Sequence, residues 1–404
     1  MHRTLVFLLL SAAVLCTPAA AQPAVPTPLG RTFEAAWARQ PEARALEARR
    51  SAAEAAARAA QQWTPEAPAL EVVHKTDRVH RNDGVREWEV GIALPLWLPG
   101  ERGRSIAVAE AERAALEGRA QAARLRLAGE LREAWWPWMR AQVEAALAQD
   151  QLASARALAG DVARRVRAGD LARADEVQAE GAVAAAQAAA AQAGQALAEA
   201  RLRWQALTGA PPAEPSDRPE APPAAEALPH PLLEELRQRL ASAQRSAELA
   251  QVQSRGNPEL TLSATRDRGS FEERPQDGIS LALRIPLGSG ARHAAKASAA
   301  LAEATEAEAR LALETGRLAA EREAAQARVE AQRAQLDAAE RRARLAHESR
   351  GFFEKSFRLG ETDLPNRLRI KREAVEAERQ AARSRIDLAA AISQWRQALG
   401  LLPQ

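Results

Sequence analysis

The chain has 404 residues, enough for more than one ordinary domain, and 47% are hydrophobic, yet aromatics make up only 4% and tyrosine is absent. That scarcity excludes a conventional bulky core; abundant alanine with 27% charged residues points to long helices packed through small side chains. The net charge of +3 comes from interleaved glutamate and arginine, which excludes the concentrated basic face of a nucleic-acid binder and reads as solvated helix faces.

At the N-terminus, Arg3 supplies a basic start, residues 5–16 an apolar core, and Ala19-Ala20-Ala21 a small-residue cleavage site. The apolar run is too short to span a bilayer. Cys16 follows Val14-Leu15, a poor setting for lipidation, so residues 1–21 are expected to leave as an unlipidated signal peptide after export across the inner membrane. The mature chain then has no cysteine, which excludes a disulfide framework and a thiolate metal site. No later segment approaches eighteen uninterrupted apolar residues, so no helical anchor is expected.

A helical period runs over residues 32–63, with Pro41 as a break. Two strands follow, residues 70–79 and 85–96, and Asp83-Gly84 between them is a hairpin signal. In the second, Trp88, Val90, Ile92 and Leu94 alternate with Glu87, Glu89, Gly91 and Ala93. Residues 104–167 then form one long helical pattern, on the order of 95–100 Å at ~1.5 Å per residue. Pro137, among Trp135, Trp136 and Trp138, is expected to interrupt and kink it. The tryptophans are expected to pack where the kink opens a gap, with a cell-wall or ligand contact as the alternative. A turn centred on Gly169 reverses the chain, and a shorter helix returns over residues 171–207. Residues 210–231 are proline-rich and read as a linker.

The same plan then recurs: a helix over 231–255, strands over 260–266 and 279–287, a long helix over 291–357, a turn at Gly360 and a return helix over 364–399. Pro68 in PALEV has its counterpart in Pro258 of PELTL, Pro95 in Pro286, Gly169 in Gly360 and Trp204 in Trp395, each 190 or 191 positions later. Four landmarks in one order at nearly one offset mark a tandem duplication. The expected division is a signal peptide (1–21), a first repeat (22–209, hairpin 69–96), a linker (210–231) and a second repeat (232–404, hairpin 259–287).

Four strands cannot close a barrel, and an open sheet with an apolar face would aggregate. Ile279, Leu281, Leu283 and Ile285 alternate with Ser280, Ala282 and Arg284, so one face is apolar and the other small or charged. That pattern, over lengths of about 8–12 residues, suits tilted membrane strands around a wet lumen. Trp63 and Trp97, where the hairpin meets its helices, and Trp88 suit membrane-interface positions. A small soluble sandwich would show the same alternation, but with only four strands set in two distant pairs it is the poorer fit. Closure argues for an oligomer whose chains pool their strands.

Of the five mature histidines, His74 and His80 lie six apart across a strand end, a weak geometry for a shared metal, and His230, His293 and His347 stand apart. No Ser-His-Asp order, Walker lysine or HExxH pattern appears. No enzyme activity, cofactor or metal site is expected, and any energy must come from a partner.

The sequence resembles the TolC-like outer-membrane factors, exit ducts of tripartite efflux and type I secretion systems, and looks nearest to their heavy-metal (CusC- and CzcC-like) branch. The resemblance rests on FEAAWARQPEARALEAR near the start, the PxL…G…PL…G hairpins, the turns RVRAGDLARADEVQAE and FRLGETDLPNRLRIKREA, and the helix ends WQALTG and WRQALG. It implies a mainly α fold with a small β part: four transmembrane strands and two helical hairpins per chain. A homotrimer would then form a twelve-stranded barrel in outer-membrane lipid and a helical tunnel through the periplasm. The glycine turns would be the periplasmic tip, docked on a membrane-fusion adaptor that links it to an inner-membrane pump of the RND type. Carried over residue by residue, the docking candidates are Arg167, Gly169, Asp170 and Leu171, with Arg358, Gly360, Glu361 and Leu364. Several relatives carry an acidic ring after the second turn, where this chain has Pro365-Asn366-Arg367-Leu368-Arg369. Asp363 lies nearby and the first repeat keeps Asp175 and Glu176, so Arg367 and Arg369 are expected to line or flank the aperture. The implied function is passive export of metal ions, drugs or proteins. A periplasmic adaptor or coiled-coil scaffold is the alternative, although an adaptor would carry one helical hairpin between β-rich halves.

Overall fold

The computed structural model describes residues 28–212, 220–223, 229–288 and 290–403. The expected signal peptide and much of the linker lie outside the described residues. Helices α1 (Pro28–Trp37) and α2 (Pro41–Ala60) divide at Pro41, which sits in the first turn of α2 where a missing N–H costs nothing. The first hairpin consists of β1 (Ala69–Thr76) and β2 (Arg86–Pro95). After the long helix α3 (Glu101–Arg167) and its return α4 (Arg173–Thr208), α5 (Pro231–Val252) leads to a second hairpin, β3 (Glu259–Arg268) and β4 (Gln276–Arg284). A second long pair, α6 (Gly290–Arg358) and α7 (Leu364–Ala398), completes the repeat of the plan.

Pairing of β2 with β3 joins the hairpins into one antiparallel sheet of order β1-β2-β3-β4, open at both edges among the described residues. At its helix-proximal end, Glu101 is buried and joins the two hairpins. Its Oε2 accepts from the Leu98 N–H (2.9 Å) and from Asn257 Nδ2 (2.7 Å), and its Oε1 from Gln253 Nε2 (2.7 Å). A buried carboxylate is tolerable only when its oxygens are matched in this way.

The helices lie side by side: α3 with α4, α6 with α7, α5 between α3 and α6, and α2 along α3. Small residues such as Ala148 and Ala190, with Leu152, let α3 and α4 approach closely. The main core gathers Phe33 of α1, Leu131, Trp135 and Trp138 of α3, Trp204 of α4 and Ile386 of α7. The tryptophans around Pro137 therefore pack into the protein, with Trp135 in tilted contact with Trp138 (4.9 Å) and Trp204 (5.2 Å). Contrary to the expected interruption, α3 runs as one helix through Pro137. Buried tryptophans on either side hold the flanking turns, so loss of one backbone hydrogen bond does not end the helix. Among the described residues, no helix is long and apolar enough to cross a membrane.

Candidate functional site

The sheet presents two chemically distinct faces. Opposed residues of antiparallel strands share a face, so the register defines rows across all four strands. One face carries Leu70–Ile92–Leu262–Leu281 and Val72–Val90–Ala264–Ile279, with Leu94–Leu260–Leu283 nearer the helices. The large apolar side chains of the first two rows are uncovered, Ile279 being 84% exposed, while Leu94 and Leu260 next to the helices are half-buried. The opposite face carries Glu71–Gly91–Ser263–Ser280 and Val73–Glu89–Thr265–Gly278. There Ser263 Oγ donates to Glu89 Oε1 at 2.6 Å and lies 2.6 Å from Ser280 Oγ. An apolar face left bare beside a hydrogen-bonding one is the amphipathy of a wall between lipid and water.

The three tryptophans singled out from the sequence fall at the two ends of the apolar band. Trp63 is exposed, and Trp97 donates from Nε1 to the Gln62 carbonyl (3.2 Å), both where strands meet helices. Trp88 sits toward the hairpin tips, stacked on His74 at 4.0 Å. Nine positions separate Trp88 from Trp97, about 30 Å along an extended strand, and a tilt of about 40° lowers that toward the ~25 Å of a membrane band.

At the opposite end of the molecule the two long helices reverse in the same way. Asp170 N–H donates to Arg165 O (2.9 Å) and Gly169 N–H to Val166 O (3.0 Å); Glu361 N–H donates to Ser356 O (3.0 Å) and Gly360 N–H to Phe357 O (3.2 Å). This double bond pattern needs a left-handed residue, and Gly169 (φ +85°) and Gly360 (φ +78°) supply it. Open space surrounds both, so backbone conformation and not crowding selects glycine. Arg167, Asp170, Arg358 and Glu361 sit around these turns, where a partner could reach them. Leu171 and Leu364 differ: Leu364 is 2% exposed, buried with Leu158, Val162 and Phe357, and Leu171 packs on the same cluster. Leu364 serves the tip's own core and offers no surface.

The aperture candidates also divide by role. Asp363 caps α7, its carboxylate accepting from the Asn366 N–H (3.0 Å), and Asp175 accepts from the Ala172 N–H (3.1 Å) at the start of α4. Glu176 is paired with Arg173. Arg369 stands exposed, paired with Glu373 at 2.8 Å. Arg367 is half-buried, its guanidinium 4.5 Å from the Phe357 ring centre, with Arg165 of α3 at 5.1 Å from the same ring. Burial lowers the Arg367 pKa, with Glu354 opposing and Arg165 and Arg358 adding to the shift. Phe357 is thus a cation-binding ring that ties α3 to the second helical pair.

A further cluster had no sequence signal. Glu220, within the expected linker, is 3% exposed and bonds Arg132 of α3 through two contacts, Nη2–Oε1 (2.9 Å) and Nε–Oε2 (3.1 Å). Arg396 of α7 lies 3.3 Å from its Oε1, and Ser393 donates to Oε2. A glutamate in a proline-rich stretch reads as solvated; only the fold shows that it pairs two buried arginines from different repeats. Among the described residues, no group of histidine, cysteine and carboxylate side chains could hold a metal ion.

Residues 33–210 match the family model for outer membrane efflux proteins. A comparison with curated protein sequences found no match. Among solved structures, the fold is similar to CusC (TM-score 0.76, 15% identity, 93% of this chain and 93% of that chain). It is also similar to the outer membrane protein VceC of Vibrio cholerae (0.72, 18%, 93% and 97%) and to the open-state MtrE outer membrane channel of Neisseria gonorrhoeae (0.71, 18%, 92% and 89%). CusC stands among neighbours of comparable likeness, so the fold does not single out the heavy-metal branch. The family match thus covers the first repeat, and the likeness in fold to outer-membrane channels extends across both.

Proposed function

We propose that this chain forms a passive exit duct through the outer membrane, three copies pooling their sheets into a twelve-stranded barrel above a helical periplasmic tunnel. The observation that carries the reading is the sheet itself: bare leucine, isoleucine and valine rows on one face, a hydrogen-bonded polar face on the other, and two unpaired edges. Such a sheet is stable only when lipid covers the first face and other copies pair with the edges. The helical layer supports the same assembly. Within the chain α5 is held between α3 and α6, whereas α2, its counterpart in the first repeat, has α3 on one side and no buried residue of its own. A neighbouring copy's α6 is the natural cover for α2.

The glycine tips then reach into the periplasm, where Arg167, Asp170, Arg358 and Glu361 meet an adaptor joined to an inner-membrane pump of the RND type. Arg369 flanks the aperture and makes it tolerant of anions. In planar bilayers, Arg369→Asp is expected to shift selectivity toward cations; an unchanged preference removes Arg369 from the aperture. Cargo follows the pump and is not set by a binding site in the duct. The reading as adaptor or scaffold gains no support, since each helical hairpin follows its own strand pair. Membrane fractionation with chemical cross-linking tests the proposal: an outer-membrane trimer is expected, and a soluble periplasmic monomer would refute it.

A further inference from the structure

The sheet end farthest from the helices separates its charges by face. Beyond the apolar rows, the apolar face continues with Arg266 opposite Trp88 and then Arg86 opposite Arg268. One position out of phase, the wet face carries Glu87 opposite Asp267, with Lys75 3.4 Å from Glu87. Strand alternation therefore sets three arginines and a single acid, Asp277 opposite Arg266, on the lipid side, and mostly acids on the water side. Arg268 is occupied at the tip: its Nε donates to the Gly84 carbonyl (3.1 Å) and it stacks on Phe271 (5.3 Å). Arg266 is 67% exposed and meets only Asp277 among the described residues, in a loose pair at 3.7 Å. The Arg86 guanidinium makes no hydrogen bond or ion pair among the described residues; only its backbone is held, in the sheet ladder. From the helix side outward, this face thus reads apolar, aromatic, cationic, which is the order of hydrocarbon, interface and phosphate in a lipid leaflet.

We propose that Arg86 and Arg266, above Trp88, form a headgroup site for a phosphate-bearing lipid in the leaflet facing away from the helical body. Each guanidinium offers a planar fork to phosphate oxygens, and the acyl chains lie along the Val90 and Ile92 rows below. The inference rests on the barrel reading above. A lipid is favoured over an acidic protein because the cations continue an apolar surface that hydrocarbon must cover.

The test uses the full chain reconstituted in phosphatidylethanolamine vesicles with or without bisphosphorylated lipid A. After extraction in mild detergent, native mass spectrometry counts the lipid A retained per chain. Wild type is expected to retain it, the double variant Arg86→Gln/Arg266→Gln to lose about tenfold in retention, and Lys75→Gln on the wet face to lose none. Dephosphorylated lipid A should not be retained. Unchanged retention in the double variant, or equal retention of the dephosphorylated lipid, would overturn the site. Vesicle flotation in parallel separates the two levels of failure. A chain that floats with neither vesicle ends the barrel reading and this site together; one that floats without phosphate preference ends this site alone.

Discussion

Glu220 satisfies two buried arginines that arrive from α3 and α7, and those arginines have no other carboxylate at ion-pair distance among the described residues. Removing one member of such a cluster leaves uncompensated charge in a dry site. Glu220→Ala is therefore expected to cost about 3–5 kcal/mol, read as a lowered melting temperature in detergent, and Glu220→Gln less because it keeps an acceptor. A loss no larger than that of an exposed ion pair would contradict the buried assignment. His230 makes a second residue-scale case. It is buried at the start of α5, where its Nδ1 accepts from the Leu232 N–H (3.3 Å). Burial, helped by Arg322, holds its pKa below the ordinary imidazole value. Below about pH 6.5 the unfolded chain binds a proton that the folded chain resists, so stability is intact at neutral pH and falls on acidification. His230→Asn keeps a capping acceptor and should flatten the dependence of melting temperature on pH between about 7 and 5. An unaltered slope would place the acid sensitivity elsewhere.

At the scale of elements, the glycine turns make the sharper prediction. A side chain at the positive φ of Gly360 is strained even in open space, so Gly360→Ala should cost about 1–2 kcal/mol and Gly360→Asn distinctly less, measured by thermal unfolding. Equal costs would mean that the turn is not held in the left-handed region. Elements of this kind were legible in the sequence because long helices repeat a 3.6-residue signal many times and glycine and proline punctuate them. The α3 and α7 ends fall at Arg167 and Leu364 as read, and the strand ends shift by only a few residues. What the sequence hid depends on how elements meet. Leu364 looked available for docking until α3 was seen to bury it, and Arg367 looked free until Phe357 was found beneath it. Pro137 reads locally as a break, but tertiary packing of its tryptophan neighbours carries the helix through. Asp363 is the reverse case: an aspartate two residues before Pro365 at the head of a helical run is a cap signal, and the structure uses it so.

For the whole molecule, a closed barrel depends on the open sheet edges. Within one chain β1 and β4 are separated by two strands, so their backbones lie about 14 Å apart at ~4.8 Å per strand. A disulfide needs Cα atoms within about 7 Å, so it cannot form between these edges inside one copy. Cys16 is the one cysteine of the sequence, so its replacement by serine makes the background clean. The most direct measurement introduces cysteine at Val72 of β1, paired in turn with cysteine at Ile279, Ser280 or Leu281 of β4, and oxidises the protein in outer-membrane vesicles. At the correct register covalent dimers and trimers are expected on a denaturing gel, and nothing larger. A ladder running past the trimer, or no cross-link at any register in membrane-inserted protein, would contradict a closed trimeric barrel.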